Sequence, residues 1–276
     1  MSVSHLVWNG LLPICFSLSP RAVVSEHPPE PIYAMVPRVG YLAHALSSAR
    51  VAEAFSLGSR RVWVESKGNR RPVGSSLPLG VHADVAGVEG GEEGVWELVV
   101  HTSDFPVAGD GEDPEYVFVD GEGEEAAEAA FKNRLKESEY IKTGSTKGVM
   151  VSLSNNQVAQ LVRGVATHDL DLYNRVAPLL GGGSREDVAA LKYVPLRLVF
   201  PDAPDRFELL LPVHPQTGEL STLRDAFDAL LPDRRGEDIS FLLHGVRLEV
   251  DDVSLFYLVN HMAYPDGFVY VAVGDS

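Results

Sequence analysis

Apolar positions near the start of the chain fall into two short runs, followed by a segment with a different period. The runs Leu11 to Leu18 and Ile32 to Val36 have the length of strands and are separated by a polar, proline-rich connection. From Tyr41 to Phe55, apolar residues instead recur every three or four positions. This change of period predicts two paired strands followed by a helix that covers one face of a sheet.

Two more predicted strands complete this first unit. Arg61 to Glu65 alternates two valines around a tryptophan, a turn is predicted at Lys67 to Asn69, and a further apolar run extends from Trp96 to Thr102. The predicted order is therefore strand, strand, helix, strand, strand. This order is typical of the ubiquitin-like β-grasp.

The last third of the chain repeats this order without repeating the sequence. The predicted strands are Val194 to Phe200, Phe207 to Val213, Ile239 to Leu243 and Phe268 to Val273, with a helix from Leu223 to Leu231 before the third strand. A turn containing Gly245 follows the third strand, as a turn containing Gly68 does in the first unit. These patterns predict a second ubiquitin-like β-grasp.

The middle of the chain has a different character. Residues 107–124 are rich in glycine and acidic residues and are predicted to form a linker, whereas Glu124 to Lys142 and Ser154 to Leu180 have helical spacing. A flexible break is predicted at 181–184. The predicted fold is α+β, with two ubiquitin-like β-grasp domains flanking a helix-rich domain and a short N-terminal helix. The predicted domain boundaries are 1–106, 107–188 and 189–276.

The charge balance narrows the choice of partners. The chain has 39 acidic and 23 basic residues, which gives a net charge of −16 at pH 7. Such a chain repels the phosphates of nucleic acids and of anionic membranes. We therefore expect no nucleic acid among its partners, and direct binding to an acidic membrane surface is disfavoured.

Cysteine content and apolar run length indicate the compartment. Cys15 is the only cysteine, so the chain forms no internal disulfide and has no cysteine cluster for a metal, which fits a reducing cytosol. The apolar segment from Leu6 to Leu18 lacks the basic leader of a signal peptide, and no run approaches the ~20 apolar residues that a membrane-spanning helix needs. We expect a cytoplasmic protein with peripheral membrane contacts only.

Lysine is scarce and unevenly placed. The six lysines are Lys67, Lys132, Lys136, Lys142, Lys147 and Lys192. Four of them fall within residues 132–147, on and just after the predicted helix that begins at Glu124. The stripe of small and apolar residues on this helix consists of Ala127, Phe131, Leu135 and Ser138. Lys136 is predicted to project at the edge of this stripe.

Two interpretations of these lysines are open on the residues alone. Lysines normally line the solvated faces of helices, and a pair such as Glu128 with Lys132 contributes only ~0.2–0.5 kcal/mol. The alternative is chemical, because a neutral lysine amine can attack an activated carboxyl group and form an isopeptide bond.

A family resemblance favours the chemical interpretation. Residues 131–154, FKNRLKESEYIKTGSTKGVMVSLS, resemble the conjugation segment of the autophagy protein 5 family, especially of its fungal members. Three shorter matches are Trp8, Asn9 and Gly10 before Pro13 and Ile14; Pro37, Arg38, Tyr41 and Leu42; and HGV at 244–246 with YPDGF at 264–268. Together the matches span nearly the whole chain. In this resemblance, Lys136 occupies the position of the acceptor lysine.

The resemblance implies a function. Members of the family are conjugated to the ubiquitin-like autophagy protein 12, whose C-terminal glycine is joined to the acceptor lysine by an activating and a conjugating enzyme. They also bind the N-terminal helix of autophagy protein 16. The ligase-like assembly promotes attachment of a second ubiquitin-like protein to phosphatidylethanolamine on the growing autophagosomal membrane. The chain is then a non-catalytic scaffold that associates peripherally with the isolation membrane through its complex.

The resemblance also indicates where the partner helix binds. In the family this helix lies in a groove formed by all three regions, which makes Trp8 and Arg38 candidate contact residues. Each has a structural alternative. Trp8 can pack a short helix onto the neighbouring sheet, and Arg38 can cap or pair locally at the start of the next helix.

Other motifs in the sequence do not indicate chemistry. The acidic segment 110–120 lacks the ligand and glycine spacing of an EF-hand, the histidines show no HExxH spacing, and the glycines at 181–183 are not followed by the residues of a nucleotide-binding loop. The sequence therefore predicts no catalytic residue, no metal and no cofactor. The alternative function is a reversible ubiquitin-like adaptor that needs none of its lysines.

Overall fold

Two larger sheets and the helices between them make up the computed structural model of the chain. The described residues are 2–23, 28–58, 60–88, 94–108, 111–112, 122–145, 153–180, 188–201, 205–235, 239–248 and 253–275. The predicted break at 181–184 and most of the predicted linker lie outside these ranges.

The first sheet is built by the N-terminal part of the chain. Its strands are β1 (Leu11–Leu18), β2 (Ile32–Pro37), β3 (Trp63–Ser66), β4 (Arg71–Pro72) and β5 (Trp96–His101), in the order β2-β1-β5-β3-β4. Strand β1 pairs antiparallel with β2 and parallel with β5. A short helix, α1 (Val3–Asn9), precedes β1 and is capped by the Ser2 hydroxyl. The predicted N-terminal helix and the four predicted strands of this unit are confirmed.

The predicted continuous helix from Tyr41 to Phe55 is interrupted. Helix α2 (Leu42–Ser48) ends where the Ser48 hydroxyl donates a hydrogen bond to a backbone carbonyl inside the helix, and Arg50 then adopts a left-handed conformation with φ of 53°. Helix α3 (Val51–Ala54) follows directly. Both pieces still bury apolar side chains against the first sheet, so the predicted face was correct although the continuity was wrong.

Helix α4 (Leu79–Val88) was not predicted from the sequence. Its sequence, LGVHADVAGV, has no polar face, because the helix lies between the first part of the chain and the second sheet. Small residues allow this close approach. A Cβ atom on Gly80 would lie 2.6 Å from the Tyr264 hydroxyl, and one on Gly87 would lie 3.3 Å from a methyl group of Leu242.

The middle region is helical, as predicted. Two strands of two residues each, β6 (Val107–Ala108) and β7 (Gly111–Glu112), pair antiparallel inside the predicted linker. Helix α5 (Glu122–Thr143) follows them. The segment from Ser154 to Leu180, predicted to be helical, consists of α6 (Asn155–Ala166), α7 (Leu170–Asn174) and a short 3-10 turn. The break occurs at His168, which has a left-handed φ of 54°.

The second sheet is built by the C-terminal part of the chain. Its strands are β8 (Leu196–Val199), β9 (Ile239–Leu243), β10 (Val246–Arg247) and β11 (Val269–Asp275), in the order β10-β9-β11-β8. The predicted helix is α8 (Leu223–Leu230), and an unpredicted helix α9 (Leu255–His261) precedes β11. The predicted strand from Phe207 to Val213 is wrong. This segment makes isolated bridges only, and its Pro212 has no N–H for a regular ladder.

Helix α5 connects the two cores of the molecule. Its predicted stripe is confirmed, since Ala127, Phe131 and Leu135 are buried in the core under the first sheet. Ile141, near the end of the same helix, belongs to the core under the second sheet. The orientation of the outward face of α5 is therefore fixed by packing on both sides.

Candidate functional site

Lys136, which the sequence predicted to project at the edge of the apolar stripe, lies on the solvent face of α5. Its side chain is exposed, and within the described ranges it forms no ion pair. The other two lysines of this helix differ. Lys132 is paired with Glu128 one turn earlier, and Lys142 is largely covered and lies 3.1 Å from the Glu139 carboxylate. Lys136 is thus the α5 lysine whose amine is open to an approaching reagent.

The turn that carries Lys136 is held against the second sheet. The Ser138 hydroxyl donates to the backbone carbonyl of Asp266 at 2.7 Å, and Glu137 forms an ion pair with Arg197 at 2.6 Å. Further along, the backbone N–H of Lys192 donates to the carbonyl of Lys142. These contacts fix the backbone on the C-terminal side of Lys136, and the burial of Leu135 holds the position before it, so the amine is presented by a rigid element.

The YPDGF motif forms the turn that receives Ser138. The buried Asp266 carboxylate accepts hydrogen bonds from the Tyr270 hydroxyl at 2.7 Å and from the backbone N–H of Phe268 at 3.1 Å. Burial raises the pKa of Asp266 to about 6. Gly267 has a φ of +85° and lies against Ser138, where a side chain would not fit. The motif is therefore structural, and it positions helix α5.

A groove of about 580 Å³ lies beside this helix. Helix α1, the helical middle region and the second sheet domain all contribute to its walls. Polar residues such as His5, Glu139 and Asn260 line part of it, and its apolar part includes Trp8, Leu135, Tyr173, Leu191, Phe256 and Val259. A groove of this composition can accept the apolar face of an amphipathic helix.

Trp8 forms part of the wall of this groove. Its ring is buried, lies 4.9 Å from the ring of Tyr173 and stacks parallel to the ring of His168 at 5.8 Å. A ring nitrogen of His168 also lies 2.8 Å from the backbone carbonyl of Trp8. Trp8 thus fastens α1 to the helical region, and its role as a partner contact stays a prediction.

Arg38 lies at the seam between the two sheets. Its guanidinium forms an ion pair with buried Asp84 on α4 and donates to the carbonyl of Gly80 at 3.1 Å. Asp84 also accepts backbone hydrogen bonds from His244 and Gly245, and burial raises its pKa. Arg38 does not line the groove described above, and its predicted contact with a partner stays untested.

Asp84 is a structural residue of this seam that the sequence reasoning missed. It is the only charged residue in the otherwise small and apolar segment 79–88, which is the kind of position where a buried carboxylate needs a partner. That pattern was visible in the sequence. Its partner Arg38 lies 46 positions away, however, and no local pattern links the two.

The architecture defines a class of protein in which two ubiquitin-like domains are joined through a bundle of helices. Models of three parts of autophagy protein ATG5 match the chain: the UblA domain at residues 7–102, the alpha-helical bundle region at 124–181 and the UblB domain at 193–273. The chain belongs to the autophagy protein 5 family, as the resemblance predicted, and this membership supports a role in autophagy.

Relatives and a solved structure agree with this assignment. Autophagy protein 5 of Arabidopsis thaliana is 32% identical over 183 residues, which cover 66% of this chain and 50% of that protein. Autophagy protein 5 of Aspergillus oryzae is 26% identical over 324 residues, which cover 99% of this chain and 96% of that protein. The crystal structure of Kluyveromyces marxianus Atg5 covers 98% of both chains with a TM-score of 0.75 at 19% identity, which confirms the predicted α+β fold.

Two further observations concern membranes and metals. None of the helices in the described ranges is both long and apolar enough to cross a bilayer. Within the same ranges, no group of three or more histidine, cysteine, aspartate or glutamate side chains is arranged to hold a metal ion.

Proposed function

We propose that this chain is a scaffold of autophagosome formation that is joined covalently through Lys136 to the ubiquitin-like autophagy protein 12. The observation that carries the proposal is the contrast among the lysines of α5. Lys136 is exposed and without an ion pair in the described ranges, whereas Lys132 and Lys142 are paired with Glu128 and Glu139. The Lys136 amine is also presented on a helix that is anchored after this residue, at Ser138 and at Lys142.

The proposed reaction is an acyl transfer to this amine. The neutral Lys136 amine attacks the carbonyl carbon of the C-terminal glycine of autophagy protein 12, which is held as a thioester on the conjugating enzyme. An amide bond forms, the thioester bond breaks and the enzyme's thiolate leaves. The amine proton passes to a base on the enzyme. This chain supplies an accessible nucleophile, and the activating and conjugating enzymes supply the chemistry.

The groove beside α5 is the proposed site for the N-terminal helix of autophagy protein 16. Its walls come from all three regions, and its lining is apolar at Leu191, Phe256 and Val259. A helix that inserts apolar side chains here would pack against Trp8, which is already fixed by Tyr173 and His168. Arg38 would support this site indirectly, by holding α4 and the second sheet in place.

The assembled complex is proposed to act as a ligase that promotes lipidation of a second ubiquitin-like protein. In this proposal the chain contributes no catalytic residue, resides in the cytoplasm and reaches the isolation membrane as a peripheral component of the complex. The net charge of −16 favours recruitment through partners over direct binding to an anionic surface.

The test is reconstitution with the activating and conjugating enzymes, autophagy protein 12 and ATP. We expect a conjugate on a denaturing gel for the wild type and for Lys132→Arg, and none for Lys136→Arg. Lys132→Arg is the matched control, because it changes a lysine of the same helix to the same residue. A conjugate that persists in Lys136→Arg would contradict the proposal. No conjugate from the folded wild type with active enzymes would favour the reversible adaptor.

A further inference from the structure

The exposed edges of the two larger sheets are protected unequally. Native sheets blunt their edges with short strands, charge or proline, because a free edge can pair with another chain. Edge strand β4 consists of Arg71–Pro72, edge strand β10 consists of Val246–Arg247, and the edge of β8 is bonded to the segment around Arg206 and Leu210. Edge strand β2 has six residues, IYAMVP, and none is charged.

The pairing register shows which backbone groups of β2 face outward. Arg38 donates its N–H to the carbonyl of Gly10 at 2.9 Å, and the pairs that follow are Pro37 with Leu11, Val36 with Leu12 and Met35 with Pro13. Bonded and non-bonded pairs alternate along an antiparallel ladder. Met35 and Tyr33 therefore belong to non-bonded pairs, and their N–H and C=O groups point to the open edge.

The side chains around this edge are apolar and accessible. Tyr33 is 73% exposed, Met35 is 61% exposed and Leu11, on the same outer face of the sheet, is 44% exposed. On the other side, the last residues of β2 border a groove of about 750 Å³ whose walls include Ala45 of α2 and Val162 of α6. An added strand would thus find apolar side chains to pack against on each of its faces.

We propose that β2 is a docking edge for an extended segment of a partner polypeptide, which adds a strand antiparallel or parallel to β2 and places apolar residues at alternating positions. In such β-augmentation, main-chain hydrogen bonds provide the affinity and the surfaces that contact the side chains provide the specificity. The occupant is a partner of neutral or positive net charge. A second copy is disfavoured, because each copy carries a charge of −16 and Glu124 and Glu128 lie in the groove wall.

The test uses a phage-displayed library of short random peptides selected on the folded full-length chain. We expect the selected peptides to alternate apolar residues and to bind Met35→Pro at least about tenfold more weakly than the wild type. The proline removes an outward N–H but none of the bonds to β1. Met35→Ala is the matched control, because it shortens the same side chain and keeps the N–H, and we expect a loss of about threefold or less.

A second measurement keeps the test valid even where Met35→Pro folds poorly. In the free wild type, the amide hydrogens of Tyr33 and Met35 should exchange faster than those of Ala34 and Val36, which are bonded to β1. Adding a selected peptide should slow exchange at Tyr33 and Met35. Peptides that bind Met35→Pro as tightly as wild type, peptides that leave the exchange unchanged, or self-association through β2 would each overturn the proposal.

Discussion

The two ubiquitin-like sheets share the order of four strands, the first sheet having β2 in addition, but they differ in which of their faces are covered. The second sheet is buried on both faces, with Val271 packed in the core on the side of α8 and Ala272 packed on the side of α4. The first sheet has its helices on one face, and Tyr33 and Met35 project from the other. The chain therefore uses its second sheet as a structural core and leaves accessible sheet surface on the first.

The cause of this difference is helix α4. It follows β4 in the chain, yet it packs on the second sheet, where Val85 contacts the pair formed by Leu242 and Ala272. Arg38 and Asp84 then join it to the turn at His244 and Gly245. Because α4 follows the first sheet in the chain but packs on the second, the two sheets belong to one packed unit. They are therefore not independent recognition modules.

The largest expected effect on stability comes from placing a charge on one particular face of a sheet. This face is covered by α4 in the second sheet and is exposed in the first. We expect Ala272→Glu to lower the free energy of unfolding by about 4 kcal/mol or more, since it buries a charge without a partner under α4. Met35→Glu, on the outer face of the first sheet, should change it by less than about 0.5 kcal/mol. Urea titration of both variants measures the difference. Equal effects would contradict the unequal cover of the two sheets.

The second prediction concerns the ion pair at the seam. Arg38→Ala should lower the free energy of unfolding by about 3 kcal/mol, because it leaves the buried Asp84 carboxylate without its cation. The exposed pair of Arg21 with Asp104 serves as the comparison, and Arg21→Ala should cost less than about 1 kcal/mol. A fully stable Arg38→Ala chain that fails only to bind its partner helix would instead support the direct contact predicted from the sequence.

The third prediction concerns acid. Burial lowers the pKa of His82, on α4, and of His244, in the turn after β9, to about 4. The unfolded chain takes up these protons near pH ~6.5, so stability is lost as the pH falls from ~6.5 toward ~4, by about 2 kcal/mol per histidine between pH ~7 and ~5. The raised pKa of Asp266 acts in the opposite direction. Above a pH of about 6 the folded chain bears the cost of burying an ionised carboxylate, and protonation on acidification removes this cost.

The variant His244→Gln isolates one of these contributions. Its free energy of unfolding should fall less between pH ~7 and ~5 than that of the wild type, by about 2 kcal/mol, because glutamine does not titrate. Urea titrations of both chains at the two pH values give this difference. The same loss in both chains would show that His244 does not titrate as the burial of its ring indicates.

The smallest expected effect concerns the two helices that cover the sheets. Helix α8 begins with a reciprocal capping box between Thr222 and Asp225, whereas Tyr41, the N-cap residue of α2, makes no capping hydrogen bond with its side chain. Thr222→Ala should lower the free energy of unfolding by about 1 kcal/mol, because it removes the capping hydroxyl. Thr222→Ser keeps that hydroxyl and should cost less than about 0.5 kcal/mol in the same urea titration. Equal losses in the two variants would show that the cap does not stabilise α8.

Much of the fold was predictable because its signals are local. The stripe of Phe131 and Leu135 on α5 and the strand runs at β1 and β2 follow from apolar period alone. Helix α4 was missed because it has no polar face, so its apolar positions show no helical period. The segment around Pro212 was predicted as a strand from its apolar content, although Pro212 lacks the N–H that a regular strand pairing needs. The uninterrupted apolar run in β11 was a usable sign that both faces of the second sheet are covered.

The candidate site likewise has one part that the sequence predicts locally and one part that depends on long-range contacts. The exposure of Lys136 follows from its place beside the apolar stripe of an amphipathic helix, and its side chain is exposed in the structure. The seam formed by Arg38, Asp84 and the turn at His244 depends on contacts between residues far apart in the chain, which no periodic pattern encodes.

The most direct test of the account is to map the covalent linkage in chains that differ only in their lysines. One chain keeps Lys136 and carries arginine at every other lysine position, and the other carries Lys136→Arg alone. After reaction with the conjugation enzymes and autophagy protein 12, mass spectrometry of the digested products should find one branched peptide, at Lys136, in the first chain and none in the second. A branched peptide at another lysine in the second chain, or an unmodified first chain that is folded, would contradict the account.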